Sequence, residues 1–475
     1  MTETFPNARP DAANKGSNSG TNAAAWRAFL LRLHFYVGLF AGPFILIAAL
    51  TGTLYVATPQ LEAWIYREAL STGETGDWTS PETPKPAPLA EQIRAARKLA
   101  GDAPIFALRP APTPADTTRV MFSDPALGPS ETRAIFVDPF TLAVKGDMVA
   151  YGTSGILPFR TAIDYFHRNL MLGEWGRYYS ELAASWLWVA TLGGVWLWAT
   201  GRRRARPVNQ LPKAQRLRWI HSMIGVSIAV VLLFLSVTGL TWSQAAGARI
   251  DALRGVMGWV TPALDLSLDG AGMADMSGGE HAEHMAQAAA MTALSGPELD
   301  DYFDVALASA RFEGIDAPMT EIRPPKAGKA WLVTEYDRRW PSQVDAAAVD
   351  PAMFTVIART DFDSFGLVAK LVRWGIDAHM GVLFGLANQI VVAQAGLGLV
   401  AVIAYGYRIW WLRRPAAGAL PQGLIAGWSR TGATARIATL IAALAFGWAL
   451  PALGASLALF LAVDLLRSRL AYAAS

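Results

Sequence analysis

The sequence predicts a mainly α-helical membrane protein, a transmembrane bundle of about six spans built by internal duplication, with two small α+β domains outside the bilayer. The chain of 475 residues is 53% hydrophobic and only 17% charged, which is too apolar for an ordinary soluble protein. Several apolar stretches are long enough to cross a bilayer. Finally, four of the six histidines recur at equivalent places in two halves of the chain, which indicates an internal repeat.

The spans follow the apolar stretches in chain order. They cover about Leu33–Ala57, Leu182–Thr200, Ile220–Ala245, Leu383–Trp411, Ile437–Leu450 and Leu453–Leu466. The last two are short and flank Pro451, so one long kinked helix is the rival interpretation. Arginines precede and follow this pair, and a hairpin is required if both ends face the cytoplasm.

The basic residues predict the orientation in the membrane. Residues 202–219 contain six arginines, among them Arg218, and one lysine, and they contain no acidic residue. By the positive-inside rule this loop and both termini are cytoplasmic. No basic segment followed by a short apolar core marks a cleaved signal peptide at the N-terminus. Because the arginines lie at the ends of spans, they do not indicate a nucleic-acid partner. The lipid bilayer is the expected partner.

The predicted organisation alternates spans with polar segments. It runs as a disordered cytoplasmic tail (1–25), a first span (26–57), a first outer domain (58–155), a histidine segment with the second span (156–201), a basic loop (202–219), a third span (220–246), a second outer domain (247–366), a histidine segment with the fourth span (367–412), a cytoplasmic loop (413–433), a hairpin of two spans (434–467) and a cytoplasmic tail (468–475).

Each outer domain is predicted to begin with a helix and to continue with strands. Leu89–Leu99 and Pro297–Phe312 have helical spacing. The strands are expected at Ile105–Arg109, Arg119–Phe122 and Arg133–Asp138, and at Glu321–Arg323, Trp331–Tyr336 and Gln343–Asp350. A Val-Asp-Pro tripeptide, at Val137 and again at Val349, is expected to end the last strand of each domain.

The second half contains an insertion at 270–294 that the first half lacks. It is rich in Gly, Ala, Met and His. Methionine and histidine are suitable copper ligands, and His281, His284 and Met285 are the candidates. A flexible loop whose methionines are incidental is the competing interpretation, and deletion of 270–294 followed by a copper-binding measurement separates the two.

The four repeated histidines are the main functional candidates. His34 and His221 are each followed by glycine four residues later and by Thr-Gly at Thr51 and Thr238. His167 and His379 each follow an aspartate of the Val-Asp-Pro tripeptide by 29 residues. A single histidine near a span is readily explained by helix packing. Four at duplicated positions favour a function, because ionisable groups in spans are costly.

The predicted topology places these histidines in two pairs. His34 and His221 begin spans that run outward, so they share the inner leaflet, while His167 and His379 precede spans that run inward. If the halves pack about a pseudo-twofold axis, each pair could bind one haem iron through neutral imidazoles. Two histidines per face fit catalytic zinc poorly, since it usually has three protein ligands.

Residues next to the inner pair extend this hypothesis. Gly38 and Gly225 lie one turn beyond His34 and His221 and remove bulk where a porphyrin could approach. Arg32 and Arg218 could pair with haem propionates. Their alternative interpretation, as simple topology signals, is equally favoured by the sequence.

With these residues in view, the chain resembles the PepSY-associated transmembrane family, which includes iron-regulated inner-membrane siderophore reductases. The resemblance rests on His34 with Gly38 and Thr51-Gly52, on their copies at His221, and on Asp164-Tyr-Phe-His167-Arg-Asn-Leu170. It implies two PepSY-like periplasmic domains, two b-type haems held by His34, His221, His167 and His379, a location in the bacterial inner membrane, and oxidoreductase activity on a periplasmic ferric siderophore or similar chelate. The second outer histidine departs from the pattern, since Met380-Gly381 follows His379 where Arg-Asn would be expected.

The sequence leaves the electron donor and the catalytic residues unknown. No Gly-rich nucleotide-binding fingerprint is visible, so quinol or a separate cytoplasmic reductase is the expected donor. The chain has no cysteine, which excludes disulfides, thiolate-bound iron–sulfur clusters and thioether-linked haem. Two alternatives to a siderophore reductase stay open: copper binding or reduction through the insertion, and a non-enzymatic membrane scaffold, which predicts a colourless protein.

Overall fold

The structure, a computed structural model, describes residues 15–80, 83–201, 211–268, 297–414 and 423–473. It divides into two compact units. The first unit, here called the helical unit, consists of Met1–Leu50, Arg168–Arg249 and Gln394–Ser475. The second, called the sheet unit, consists of Thr51–His167 and Ile250–Ala393.

Helices and strands alternate in blocks along the chain. The helices are α1 (Lys15–Phe40), α2 (Gly42–Val56), α3 (Thr58–Ile65), α4 (Arg67–Leu70), α5 (Leu89–Ala100), α6 (Pro158–Asn169), α7 (Gly173–Thr200), α8 (Lys213–Ser227), α9 (Ala229–Thr241), α10 (Ala245–Val256), α11 (Pro297–Asp300), α12 (Phe303–Phe312), α13 (Leu367–His379), α14 (Leu386–Arg413), α15 (Leu424–Trp428), α16 (Ala433–Ala449) and α17 (Pro451–Ala473). The strands are β1 (Ile105–Arg109), β2 (Thr118–Phe122), β3 (Glu131–Val137), β4 (Val144–Tyr151), β5 (Thr320–Arg323), β6 (Trp331–Glu335), β7 (Ala346–Val349) and β8 (Val356–Thr360).

Among the described residues, three helices are long and apolar enough to cross a membrane: α7, α14 and the Pro451–Leu470 part of α17. Two bent helix pairs, α1 with α2 and α8 with α9, raise the number to five if each pair is one span. The predicted count of six additionally requires α16, a shorter apolar helix whose 17 residues are at the lower end of the length that a span needs.

Both bends measure 59° and occur seven residues after an inner histidine, at Ala41 and at Ile228. The first bend has a clear cause in Pro43, which has no N–H to donate to the carbonyl of Leu39. The hydroxyl of Tyr407 donates to that carbonyl instead, at 3.2 Å. Tyr407 therefore compensates for the hydrogen bond that the proline removes.

The second bend contains no proline. Here the hydroxyl of Ser227 donates to the carbonyl of Ile224 at 2.8 Å. Such back-bonding by serine competes with the backbone ladder and often bends a helix. The duplicated halves thus reach the same bend angle through different residues.

The helical unit is packed around apolar side chains from five helices. Val37, Ile45, Ala183, Leu232 and Leu399 are buried together. The side chain of Glu181 is also fully buried. Its carboxylate accepts hydrogen bonds from the amides of Ala245 at 2.8 Å and Ala452 at 3.4 Å. These amides belong to the first turns of α10 and α17, so this carboxylate stabilises two helix N-termini.

The chain turns sharply between α16 and α17. A Cβ built on Gly454 would lie 2.4 Å from the carbonyl oxygen of Gly447. In one continuous helix, residues seven apart are about 10 Å apart along the axis. The two glycines therefore face each other across the break at Pro451, as they do in a tight helical hairpin.

The sheet unit contains one antiparallel sheet of eight strands in the order β4-β3-β2-β1-β5-β6-β7-β8. The first four strands come from the first half of the chain and the last four from the second. They join where Leu108 of β1 pairs with Ile322 of β5. The expectation of two small separate domains is modified accordingly, because the edge strand of each half pairs with that of the other.

Helices α5 and α12 cover one face of this sheet. Ile93, Leu108, Phe303, Ile322 and Trp331 are fully buried in one apolar core that draws on both halves. The opposite face is also covered, by smaller residues together with Phe136 and Leu157. Burial on both faces explains why these strands lack a clean alternation of apolar and polar residues.

The Val-Asp-Pro tripeptides have a local structural role that the sequence prediction missed. The carboxylate of Asp138 accepts hydrogen bonds from the amides of Phe140 and Thr141, and Asp350 does the same for Ala352 and Met353. Each aspartate thus closes a turn. The prediction that the tripeptide ends the last strand is wrong, since β4 and β8 follow these turns and pair back onto β3 and β7.

Charged residues are buried where the two halves of the sheet meet. Arg109 of β1 pairs with Glu321 of β5 at 2.6 Å, and both side chains are almost completely buried. Arg109 also donates to the carbonyls of Thr153 and Ser154. Burial opposes ionisation of Glu321, but the charges of Arg109 and Arg323 and their hydrogen bonds outweigh it and lower the pKa of Glu321 to about 2.

Candidate functional site

The structure brings His34 and His221 together in the helical unit. His34 lies on α1 and His221 on α8, and their ring centres are 6.2 Å apart with the ring planes at 86°. The predicted pairing of these two histidines therefore agrees with their positions. Neither ring is exposed to the extent of a surface side chain.

Each ring is fixed by a backbone carbonyl on a neighbouring helix. His34 Nδ1 lies 3.0 Å from the carbonyl oxygen of Ala190 on α7. His221 Nδ1 lies 2.9 Å from the carbonyl oxygen of Val402 on α14. Because a carbonyl only accepts, Nδ1 carries the proton in both rings. The lone pair of each neutral imidazole is then on Nε2, where a metal can bind.

A glycine one turn beyond each carbonyl makes room for the ring. A Cβ on Gly194 would lie 3.1 Å from His34 Cε1, and a Cβ on Gly406 would lie 3.6 Å from His221 Cε1. Both histidines therefore lie against helix surfaces without side chains. The sequence prediction missed these glycines and named Gly38 and Gly225 instead. A Cβ on Gly38 would meet no heavy atom within 4 Å, so the space beside Gly38 is open.

A repeated interval in the sequence could have identified Gly194 and Gly406. These glycines are 212 residues apart, and so are Ala190 and Val402. The same interval separates His167 from His379. The duplication thus includes the carbonyl and the glycine that receive each inner histidine. Comparing the second and fourth spans at this interval would have revealed them.

The spacing of the inner rings fits a metal ion between them. With a metal–nitrogen bond of about 2 Å and roughly 1 Å more to the ring centre, two imidazoles on opposite sides of one ion lie about 6 Å apart, centre to centre. The observed 6.2 Å agrees with this value. The ring spacing of the inner pair is thus compatible with one ion between two imidazoles, and each ring makes the hydrogen bond from Nδ1 that metal-binding histidines usually make.

His167 is held by the Thr-Gly motif of the first half. His167 Nδ1 and Thr51 Oγ1 form a hydrogen bond of 2.9 Å. A Cβ on Gly52 would lie 3.0 Å from His167 Cε1. The repeated Thr-Gly dipeptide, recognised in the sequence only as a spacing, thus receives the outer histidine at Thr51 and Gly52.

His379 is the last residue of α13 and lies near His167. Burial, with a smaller contribution from the proximity of His167, lowers the pKa of His379 to about 3. The imidazole is therefore neutral at physiological pH, as a metal ligand must be. The loop that follows packs tightly against α2, where a Cβ on Gly381 would lie 2.9 Å from Val56.

A buried ion pair fixes the helix that carries His379. Asp377, two residues before the histidine, has a side chain that is 1% exposed. Its carboxylate accepts a hydrogen bond of 2.6 Å from Arg338 Nε. Arg338 Nη1 donates to the hydroxyl of Ser154, in the segment that leads into α6 and His167. Arg338 thus connects the two segments that carry the outer histidines, a role that sequence reasoning did not identify.

The predicted propionate partners of the inner pair lie in different surroundings. The guanidinium of Arg32 packs against Gly427 of α15, where a Cβ would lie 2.5 Å from Nη1. Arg218 is exposed on α8. Their role as propionate partners stays a prediction. The copper candidates His281, His284 and Met285 belong to the insertion and lie outside the described residues.

Catalytic zinc usually has three protein ligands. Within the parts of the chain that are described, no group of three or more His, Cys, Asp or Glu side chains is arranged to hold a metal ion. The candidate centres are therefore two histidine pairs: backbone carbonyls orient the inner rings, and Thr51 contacts His167 of the outer pair.

Comparison with known protein families identifies a match. The family model described as the PepSY-associated TM region matches residues 31–413. This range contains all four repeated histidines, the bends at Ala41 and Ile228 and every strand of the sheet. No curated protein matches the chain.

Proposed function

The chain belongs to the PepSY-associated TM family, and on that premise we propose that it carries electrons across the bacterial inner membrane on two b-type haems. His34 and His221 would hold one haem, and His167 and His379 the other. The electrons reduce a periplasmic ferric chelate of the siderophore type. The observation that carries this proposal is the 6.2 Å separation of the His34 and His221 rings, which suits a single axially ligated iron.

The surrounding residues prepare the histidines for this role. The carbonyls of Ala190 and Val402 hold the Nδ1 protons of the inner pair, which orients the rings and raises the basicity of Nε2. Gly194 and Gly406 admit the rings against the helix backbones. A haem held by two histidines would supply one-electron transfer.

The outer pair provides the same chemistry with different supports. Thr51 fixes His167, and the Arg338–Asp377 pair fixes the helix of His379. Burial keeps His379 neutral. These residues hold and orient the ligands and give no proton to the chelate, which suits a reaction that consists of one electron transfer.

A ferric chelate is the substrate class that best suits a protein of this design. One electron converts Fe³⁺ to Fe²⁺, and hard oxygen chelators hold the ferrous ion far less tightly, so the metal is released without cleavage of the ligand. The electron donor would be quinol or a separate cytoplasmic reductase. Orientation with both termini in the cytoplasm, predicted from the basic loop at 202–219, belongs to this proposal.

The first test is the colour of the purified full-length protein. Dithionite-reduced minus oxidised spectra should show b-type bands, and haem extraction should give two haems per chain. The His34→Ala variant should retain one haem, and so should the His379→Ala variant. A properly folded protein without haem would exclude the proposal and would favour the scaffold alternative.

The second test addresses the substrate. Reduced protein in proteoliposomes is mixed with ferric siderophore, and the released Fe²⁺ is trapped with a ferrous chelator. Reoxidation of the haems should follow the addition of chelate. A variant lacking residues 270–294 is the control for the copper alternative. It should reduce the ferric chelate normally. If the variant loses only its activity on cupric ion, the insertion has a separate role in copper chemistry.

A further inference from the structure

Arg160 lies on the same helix face as His167. It is in the first turn of α6, seven residues before the histidine, which is two turns or about 10 Å along the axis. The two residues also face the same neighbouring helix. His167 contacts Thr51 of α2, and the guanidinium of Arg160 lies 4.7 Å from the ring centre of Tyr55, one turn further along α2.

The guanidinium of Arg160 is buried and incompletely paired. The residue is only 9% exposed. Its Nε and Nη2 atoms have no hydrogen-bond partner among the described residues. Leaving a buried charged donor unsatisfied costs more than leaving a neutral one. A buried arginine with two free nitrogens therefore points to an anion that binds beside it.

The neighbouring carboxylates make their hydrogen bonds to groups other than Nε and Nη2 of Arg160. Glu62 Oε1 accepts hydrogen bonds from the backbone amides of Leu157 and Arg160, at 3.0 and 3.3 Å, and so caps the start of α6. Asp377 is paired with Arg338. Asp164, one turn from Arg160 on α6, also has an interaction of its own. None of these carboxylates occupies Nε or Nη2 of Arg160.

We infer that Arg160 binds a propionate carboxylate of the group held by His167 and His379. The inference rests on the proposed function, because it assigns a residue to the outer haem. Haem carries two propionates on one edge of the ring. A guanidinium two turns from an axial histidine, on the same helix face, can reach that edge. The planar fork of arginine matches a carboxylate with two parallel hydrogen bonds.

The test measures the midpoint potential of the outer haem in the full-length protein. Redox titration in a His34→Ala background, which removes the inner haem, leaves only the signal of the outer haem. Arg160→Gln removes a buried positive charge and so favours the oxidised, more positive haem. We expect the ratio of reduced to oxidised outer haem at a fixed potential to fall about tenfold, which is about 59 mV for one electron. Arg160→Lys keeps the charge and should lie between Arg160→Gln and the unsubstituted protein.

Two controls separate the possible failures. Arg133 forms a partly exposed pair with Asp147 on the sheet, so Arg133→Gln should leave the potential unchanged. If the unsubstituted protein binds no haem, the proposed function fails and the inference fails with it. If it binds two haems and Arg160→Gln leaves the outer potential unchanged, only the inference is overturned. An outer-haem potential in Arg160→Lys equal to that in Arg160→Gln would also overturn the inference. If Arg160→Gln does not fold, Arg160→Lys is compared with the unsubstituted protein instead.

A carboxylate from the substrate is the competing occupant. Ferric citrate is the probe, because its carboxylates resemble propionates in charge and geometry. If Arg160→Gln weakens the concentration dependence of ferric citrate reduction while the outer potential stays unchanged, Arg160 serves the chelate and the inference is wrong. A shifted potential with an unchanged half-saturating citrate concentration supports the assignment to the haem.

Discussion

His34 and His221 face each other at 6.2 Å between ring centres, with the ring planes at 86°. The sequence separates them by 187 residues, and each is fixed by a carbonyl of a different helix. Each anchoring contact of one ring has its counterpart in the other half of the duplication. The proposed ligand shared by the two rings would account for both anchors.

Substitution of Gly194 should weaken the inner haem. In Gly194→Ala the added Cβ lies 3.1 Å from His34 Cε1, so the ring must shift, and overpacking of this kind costs about 1–3 kcal/mol. We expect the inner haem to dissociate about tenfold faster, as measured by transfer to apomyoglobin. Gly193→Ala is the matched control, since its Cβ would make only ordinary contact, at 3.9 Å. Equal effects of both substitutions would show that packing against His34 is irrelevant.

Substitution of Thr51 should affect the outer haem alone. Thr51→Val removes the hydrogen bond to His167 Nδ1 while keeping the shape of the side chain. Loss of the hydrogen-bond partner of a ligating histidine typically weakens metal binding about ten- to a hundredfold, and the less basic imidazole should raise the midpoint potential. Thr51→Ser should restore both properties. Thr191→Val, which removes a hydroxyl bonded to Leu187 within α7, should leave the outer haem unchanged.

The sequence predicted the histidines better than their surroundings. Spacing alone identified the four repeated residues, because a duplication preserves intervals whatever the fold. The joined sheet could not be predicted from the sequence, because the pairing of Leu108 with Ile322 depends on two edge strands that are far apart in the chain. The strands β4 and β8 were missed because few of their residues are buried and the preceding Val-Asp-Pro was taken as an end. Arg160 was not noticed because only burial distinguishes it from other arginines.

The sheet unit should lose stability in acid through Glu321. Its pKa is lowered to about 2 in the folded protein, against an ordinary value near 4.5 in the unfolded chain. A lowered folded pKa stabilises the fold above the unfolded pKa, and this stabilisation is lost as the pH falls from about 4.5 towards 2. Tryptophan fluorescence of the purified protein against pH measures the transition.

The variant Glu321→Gln tests the assignment of this pH dependence. It leaves Arg109 buried without its charge partner, which costs about 3–5 kcal/mol at neutral pH, and it should flatten the acid-dependent part of the profile. Glu74→Gln, at an exposed position of the same unit, should change neither the stability at neutral pH nor the acid-dependent part of the profile. An unaltered acid profile in Glu321→Gln would mean that other carboxylates govern the transition.

The bend between α1 and α2 should reveal coupling between Pro43 and Tyr407. Tyr407→Phe leaves the Leu39 carbonyl without the hydroxyl that donates to it at 3.2 Å, and the loss of one such bond costs about 1 kcal/mol. In a Pro43→Ala background the new amide can donate to Leu39 itself. Tyr407→Phe should therefore cost measurably less there, and the thermal unfolding of all four proteins in one detergent completes the double-mutant cycle. Tyr405→Phe, two residues away on α14, is the matched control and should show no coupling to Pro43. If the cost of Tyr407→Phe is the same in both backgrounds, the hydroxyl does not compensate for the proline.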